Sequence, residues 1–238
     1  MDDFSIDDER LRQSLEQLRR VNFWLGGYES VLSVLRPYLM SAAKCGKSVR
    51  LLDIGAGICD MGEAIAGFAD RHCPGLALEI VGVDANAATV EYARTSLERR
   101  GRTMSTLRVE VADALSLPYA DGDFDIAMAS MLLHHFPDND AVAVLSEMTR
   151  VSRSGIVVSD LHRHPIAYYG FLTASTLLGA TPMVRRDGPL SVLIAFSRRD
   201  LTKLAHRAGI ITTGPRWRWA FRWLLSTVTL TSVTDEPA

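Results

Sequence analysis

"LLDIGAGICDMGEAIAGF", residues 51–68, reads as a buried strand, a tight glycine turn and a helix. Turns of this kind commonly hold phosphate, because a helix N-terminus gathers unpaired N–H groups and positive potential. Here Asp53 precedes the turn, and Asp60 and Glu63 follow it. Asp60 stands where a dinucleotide fingerprint, G-x-G-x-x-G, would carry its third glycine. Two unit charges about 4 Å apart repel by about 4 kcal/mol at an effective dielectric of ~20. Carboxylates at these positions oppose a pyrophosphate and favour a ligand that carries positive charge.

The rhythm of this stretch continues outward. "VRLLDIG", "ALEIVGVD", "LRVEVAD", "DFDIAMAS" and "SGIVVSD" read as strands, with helices around 60–71, 86–100 and 139–151. Strands apolar on both faces that alternate with helices predict a parallel sheet covered by helices. On the N-terminal side, Ile6, Leu11, Leu15 and Leu18 mark an amphipathic helix over 5–18. Gly26-Gly27 breaks it, and Tyr28, Val31, Leu32, Leu35 and Leu39 mark a second helix, bent near Pro37. The expected organisation is a helical cap over 1–45 and one α/β domain over 46–238.

Residues 162–197 interrupt the rhythm with aromatic and small residues and three prolines. They read as a lid insertion over the site. A helix near 199–208 and a last strand near 217–225 follow. In "RWRWAFRW", alternation sets Trp217, Trp219, Phe221 and Trp223 on one face of that strand and Arg216, Arg218 and Arg222 on the other. A buried aromatic face is the first reading; contact with an anionic membrane surface or a lipid-like acceptor is the second.

The 238 residues suffice for one α/β domain with a sizeable core, and a net charge of −2 gives no global field toward nucleic acid. Cys45, Cys59 and Cys73 form no C-x-x-C pair, which points to free thiols in a reducing compartment rather than a disulfide or zinc framework. The acidic first residues lack the apolar core of a signal peptide, and no apolar run reaches membrane-span length. The expectation is a cytoplasmic protein, monomeric or homodimeric, with a small-molecule partner, no nucleic acid and no stable membrane insertion.

Asp53, Asp84 and Asp113 each close one of the first three strands. In a doubly wound sheet ligands bind outside the carboxyl ends of the strands, so the fold lines these three acids along one rim. Asp84, after "VGV", stands where an acid takes the two hydroxyls of a ribose. Asp113 lies where a nucleoside's adenine would come, able to accept from its exocyclic amine. Asp53 and the glycine turn are left for an ammonium and a sulfonium. S-adenosylmethionine has all of these groups and no phosphate.

"LLDIGAG", "VGVDAN", "VADALSLPYADGDFDIAMASMLLHHF" and "LSEMTRVSRSG" resemble, in order, the motifs of class I S-adenosylmethionine-dependent methyltransferases. The nearest likeness is to the small-molecule branch that contains the ubiquinone and menaquinone biosynthesis enzymes, and it covers roughly residues 49–161. The resemblance implies a Rossmann-like fold, with a seven-stranded, mostly parallel sheet, helices on both faces and extra N-terminal helices over the site. It implies a cofactor seated along Asp53, Gly55, Ala56, Gly57, Asp84, Ala85, Asp113, Ala114 and Ser130, with S-adenosylhomocysteine as product. It also implies a place in small-molecule biosynthesis, such as secondary metabolism. Cys59 departs from the family's third glycine of G-x-G-x-G, so a slightly altered turn with retained binding is expected.

Methyl transfer to a hydroxyl, a phenol or an acidic carbon needs a base. Four of the six histidines fall in "SMLLHHFPD" and "SDLHRHP", after the fourth and fifth strands. His135 and His162 are the candidate bases, His135 favoured by the resemblance; one of His134 and His135 is expected to be a packed structural residue. Ser130 closes the fourth strand where metal-assisted catechol enzymes carry a carboxylate, so no metal is expected. Trp24, Tyr28, His134, Tyr168 and Tyr169 are the candidate acceptor contacts, suited to a flat apolar molecule such as a phenol or polyketide. Two rivals stay open: a protein that binds S-adenosylmethionine without methyl transfer, and a nicotinamide-dependent oxidoreductase, against which Asp60 argues.

Overall fold

Val49–Ile54, strand β1, occupies the middle of the sheet. Leu51 and Leu52 are both fully buried because successive side chains point to opposite faces and both faces are covered. The computed structural model of the chain describes residues 16, 19, 26–101, 106–177, 180 and 182–229. Most of the helix expected over 5–18, and Trp24, lie outside the described residues.

β1 pairs in parallel with β2 (Leu78–Asp84) on one side and β4 (Ile126–Ser130) on the other. β3 (Leu107–Val111) continues beyond β2, and β5 (Ile156–Leu161) beyond β4. β7 (Arg222–Ser226) joins β5 antiparallel, and β6 (Arg216–Arg218) lies outside it. The order 3-2-1-4-5-7-6 is that of a seven-stranded, mostly parallel sheet, as the resemblance implies.

Two apolar layers hold the helices. On one face α1 (Gly27–Lys44), α2 (Asp60–His72) and α3 (Ala87–Arg99) pack against Leu51, Ile80, Val109 and Met128. On the other, α4 (Asp138–Val151) sets Ala141, Val144, Leu145, Met148 and Val151 against Leu52, Val81 and Ala127. Their 3- and 4-residue spacing is one helix face, and each such side chain contributes about 1.5–3 kcal/mol when fully buried. α1 runs through Pro37. Asn86 caps α3 by accepting from the N–H groups of Ala88 and Thr89.

The insertion between β5 and the next helix consists of α5 (Pro165–Leu177) and α6 (Pro182–Ile194). α7 (Arg198–Arg207) then starts at Ser197 with a capping box completed by Asp200 and packs beside α4.

The end of the chain differs from the sequence reading. "RWRWAFRW" is not one strand but the β6–β7 hairpin, whose loop holds Ala220 and Phe221 at φ 59° and 54°. Neither residue type announces a left-handed turn, which is normally left to Gly, Asn or Asp. The reversal undoes the two-faced alternation. Trp223 is buried and donates its indole N–H to the Phe196 carbonyl at 3.1 Å, while Trp217 and Trp219 stand exposed. Arg222, expected on an outward face, is 1% exposed.

Candidate functional site

The β1–β2–β3 register staggers the three acids. Asp53 pairs with Gly82, two residues short of Asp84, and Asp84 pairs with Val111, two residues short of Asp113. The rim therefore climbs from core to solvent: Asp53 is 2% exposed, Asp84 half-buried and Asp113 exposed. Ala114 is buried just beyond, Ala85 is exposed, and Ser130 ends β4 half-buried.

The glycine turn hangs on this rim by its backbone. The Ala56 N–H donates to the Val83 carbonyl at 2.9 Å, and the Gly57 N–H to Asp84 Oδ2 at 3.1 Å. Asp84 Oδ1 accepts from the Asn86 N–H at 2.9 Å. Gly55, at φ 69°, lies so close to Leu132 that a Cβ there would stand 2.6 Å from its Cδ1. Cys59 adopts φ 59°, the left-handed conformation for which the family uses glycine. Its Sγ fills a notch floored by Gly62 and Gly82, where added Cβ atoms would lie 2.9 Å from the sulfur.

The carboxylates that seemed to ring an anion site divide into two kinds. Glu63 is committed to cations, with Arg100 at 2.9 Å and Arg19 at 3.5 Å. Asp60 is clasped by α1: the Tyr28 hydroxyl donates to its Oδ2 at 2.7 Å. Burial pushes the Asp60 carboxyl up, against the Tyr28 and backbone hydrogen bonds. Burial, then Asp60 and Asp84, push Asp53 well above the usual carboxylate range, and its Oδ2 has no hydrogen-bond partner among the described residues. Burial also raises Asp84, against the hydrogen bonds from Asn86 and Gly57. A buried acceptor left open beside two further carboxyls fits a cationic ligand and rejects a phosphate.

The second half of the rim follows β4. Met131 takes φ 58°, and Leu133–His135 forms a short 3₁₀ turn. His134 is buried with its Nδ1 2.6 Å from Asp160 Oδ1, and its backbone N–H also points at that carboxylate. Burial alone would raise Asp160; the facing His134 charge and hydrogen bonds from His134 and the Leu161 N–H hold it below the ordinary value. His135, next to it, is exposed, its ring 4.2 Å from that of His134.

His162 lies half-buried with its ring 4.6 Å from Trp223 and 5.2 Å from His164. Burial, then His164, lower its pKa. Tyr168 and Tyr169 sit on α5, in edge contact at 5.2 Å, Tyr169 largely exposed. The structure thus brings Tyr28, Asp53, Asp60 and Asp84 together at the glycine turn and places His134 and His135 after β4. Sequence reasoning missed the Tyr28–Asp60 and His134–Asp160 bonds and the buried Arg222, since each joins segments far apart in the chain. Among the described residues no group of three His, Cys, Asp or Glu is arranged to hold a metal, and no helix is long and apolar enough to cross a membrane.

A family model described as a methyltransferase domain matches residues 51–155, from the first strand of this rim to the end of α4 and its loop. Over residues 51–155 the chain is similar to methyltransferase domains. S-adenosylmethionine is the cofactor of such a domain, and the open Asp53, the Asp84 carboxylate and the glycine turn are residues suited to hold it. An uncharacterized protein of Mycobacterium tuberculosis is 29% identical over 185 residues, which is 76% of this chain and 62% of that protein. Ajmaline N-methyltransferase of Rauvolfia serpentina is 30% identical over 120 residues, 49% of this chain and 38% of its own length. The chain thus covers less than two thirds of these relatives. Magnesium protoporphyrin IX methyltransferase of Synechocystis, solved with bound S-adenosylhomocysteine, shares the methyltransferase domain's fold at a TM-score of 0.56. It is 16% identical, over 85% of this chain and 83% of that one.

Proposed function

We propose that the chain transfers a methyl group from S-adenosylmethionine to an oxygen or carbon of a small aromatic acceptor, phenolic or polyketide-like. The observation that carries this reading is the stepped rim, in which the buried carboxyl of Asp53 keeps an open oxygen beside Asp60 and Asp84. The bound cofactor supplies a methyl group already activated on a sulfonium. Asp84 accepts from the ribose hydroxyls, exchanging one backbone partner for the ligand, and Asp113 accepts from the adenine amine. Asp53 faces the amino-acid cation. Tyr28, bonded to Asp60, holds α1 over the turn and keeps water out. His135 takes the acceptor proton, with His162, whose pKa burial lowers, as the second base. Tyr168 offers a flat apolar contact to the acceptor.

The test is release of S-adenosylhomocysteine against a panel of phenols, hydroxyquinones, carbon acids and amines, with calorimetry of cofactor binding alongside. The expected result is turnover of a phenolic or carbon-acid acceptor. His135→Ala should lower that turnover by about 10²- to 10⁴-fold while leaving cofactor affinity unchanged. The loss should shrink at high pH, where a phenol ionises without help. Turnover of amines alone would overturn the acceptor class. Tight cofactor binding with no methylated product from any acceptor would overturn methyl transfer itself.

A further inference from the structure

The charge of the chain is divided. Residues 1–160 hold 16 Lys and Arg against 24 Asp and Glu, a net −8, whereas residues 161–238 hold 10 against 4, a net +6. Among the described residues beyond 160, the acids are Asp187 and Asp200, and Asp200 is taken by Arg163 at 2.6 Å and by the cap of α7. A division of this size points to an anionic partner.

Arg222 is buried, Arg163 is paired with Asp200, and Arg198, Arg199, Lys203 and Arg207 lie on α7, so Arg185, Arg186, Arg216 and Arg218 are the cations on the elements that expose apolar side chains. α5 carries no charged residue from Pro165 to Leu177. Ile166 and Tyr169 on it are 64% and 65% exposed, and with Gly170 and Thr173 they line a shallow apolar depression at the spacing of one helix face. On α6, Leu190, Leu193 and Ile194 repeat that spacing, all about half exposed, after Arg185 and Arg186 near the start of the helix. α5 and α6 are in close contact where the Phe171 ring lies against Gly188. The β6–β7 hairpin adds Trp217 and Trp219, 48% and 74% exposed, flanked by Arg216 and Arg218. Ring contacts tie the hairpin to α5: Trp217 meets Phe221 at 6.3 Å, and Phe221 stacks on His164 at 5.0 Å, one residue before the helix begins.

We propose that α5, α6 and the β6–β7 hairpin form a docking surface for an anionic lipid bilayer. Aliphatic side chains gain by entering the acyl boundary, Trp and Tyr favour the interface, and arginines between them meet anionic headgroups. At 13 residues, α5 lies in the plane of the interface instead of crossing it. A second copy of the chain would set this basic region against an equal one, and a nucleic acid would leave Ile166 and Leu193 in water. The surface stands on charge and exposure alone and does not depend on the methyl-transfer reading.

The experiment is sedimentation of the full chain with vesicles of pure phosphatidylcholine and with vesicles containing about a third phosphatidylserine. Binding should be at least about tenfold tighter to the anionic vesicles and should weaken with salt. Arg216→Glu combined with Arg218→Glu should reduce it by about 25-fold or more, since each cation near the surface contributes roughly fivefold. Ile166→Ser with Trp219→Ser should reduce it by about tenfold or more. Retained circular dichroism and cofactor affinity show that the variants fold. Independently of any variant, brominated phosphatidylserine should quench the wild-type tryptophan fluorescence. Failure to bind the anionic vesicles overturns the proposal, as does equal binding to both vesicle types. So does a concentration-dependent dimer that protects Trp219, or duplex DNA held where vesicles are not.

Discussion

Cys59 illustrates how a single residue can combine two local demands. The turn needs a left-handed residue, which costs a non-glycine of order 1–3 kcal/mol, and the notch between Gly62 and Gly82 needs filling. A sulfur meets the second demand at the expense of the first. Gly82→Ala should destabilise the protein by about 1–3 kcal/mol, because its methyl would stand 2.9 Å from both the Cys59 Sγ and the Ala56 Cβ. In a Cys59→Gly background the penalty should fall by at least about 0.5 kcal/mol, as neighbouring sites couple. Urea denaturation of the four proteins measures that coupling, and strict additivity would remove the sulfur from the notch. Asp53 is the other residue-scale case. Its carboxyl is raised in the folded state by burial, then by Asp60 and Asp84. Its contribution to stability is therefore full below the unfolded value, about pH 3.9, and is lost as pH rises through the folded value. Asp53→Asn should then melt higher than the wild type at neutral pH, by about 2–4 °C for each kcal/mol relieved. The same variant should bind S-adenosylmethionine more weakly. Thermal melts at pH 5 and pH 8, with and without cofactor, check both signs.

Among elements, most of the α/β core was legible. Helices expected around 60–71, 86–100 and 139–151 are found at Asp60–His72, Ala87–Arg99 and Asp138–Val151, because apolar spacing specifies them, helped at the second by the Asn86 cap. The hairpin was not legible, since Ala220 and Phe221 turn the chain without the usual turn residues. The joints between elements were equally hidden. The 2.6 Å bond from His134 to Asp160 fastens the turn after β4 to the end of β5, both side chains being fully buried. Asp160→Ala should cost about 1–3 kcal/mol at pH 7, because it leaves the buried His134 ring nitrogen without its hydrogen-bond partner. The Asp160 carboxyl is lowered in the fold, net of its burial, by the facing His134. Its stabilisation is present above the unfolded pKa, about pH 3.9, and is lost as pH falls through the folded value. Urea unfolding should therefore separate variant and wild type widely at pH 7 and narrowly below pH 3. An equal gap at both would show that packing, not the His134–Asp160 bond, holds the joint.

For the whole molecule, ligand choice is the broadest test. S-adenosylmethionine at 100 times its Kd should stabilise the fold by about 2.7 kcal/mol. For a chain of this size that raises Tm by roughly 5–10 °C. NAD at the same concentration should leave Tm unmoved, because its pyrophosphate would meet Asp60. An equal shift by NAD would restore the oxidoreductase reading. The net charge of −2 concealed the other global property, since −8 and +6 nearly cancel in a sum that ignores position.

By itself the sequence determined the strand–helix alternation, the parallel core and the placing of Asp53, Asp84 and Asp113 at successive strand ends. Those features follow from local periodicity and from the rule that chain direction puts strand carboxyl ends on one rim. Tertiary structure alone decided which carboxylates stay open. Glu63 is neutralised by Arg100, Asp60 is clasped by Tyr28 from another helix, and Asp53 keeps a bare oxygen in the core. It also decided that Arg222 is buried while Trp219 is exposed, through a reversal at two left-handed residues. Pairing and burial depend on what lies opposite in space, and residues 32 or 26 positions apart, as in Tyr28–Asp60 and His134–Asp160, meet only once the sheet has ordered its strands.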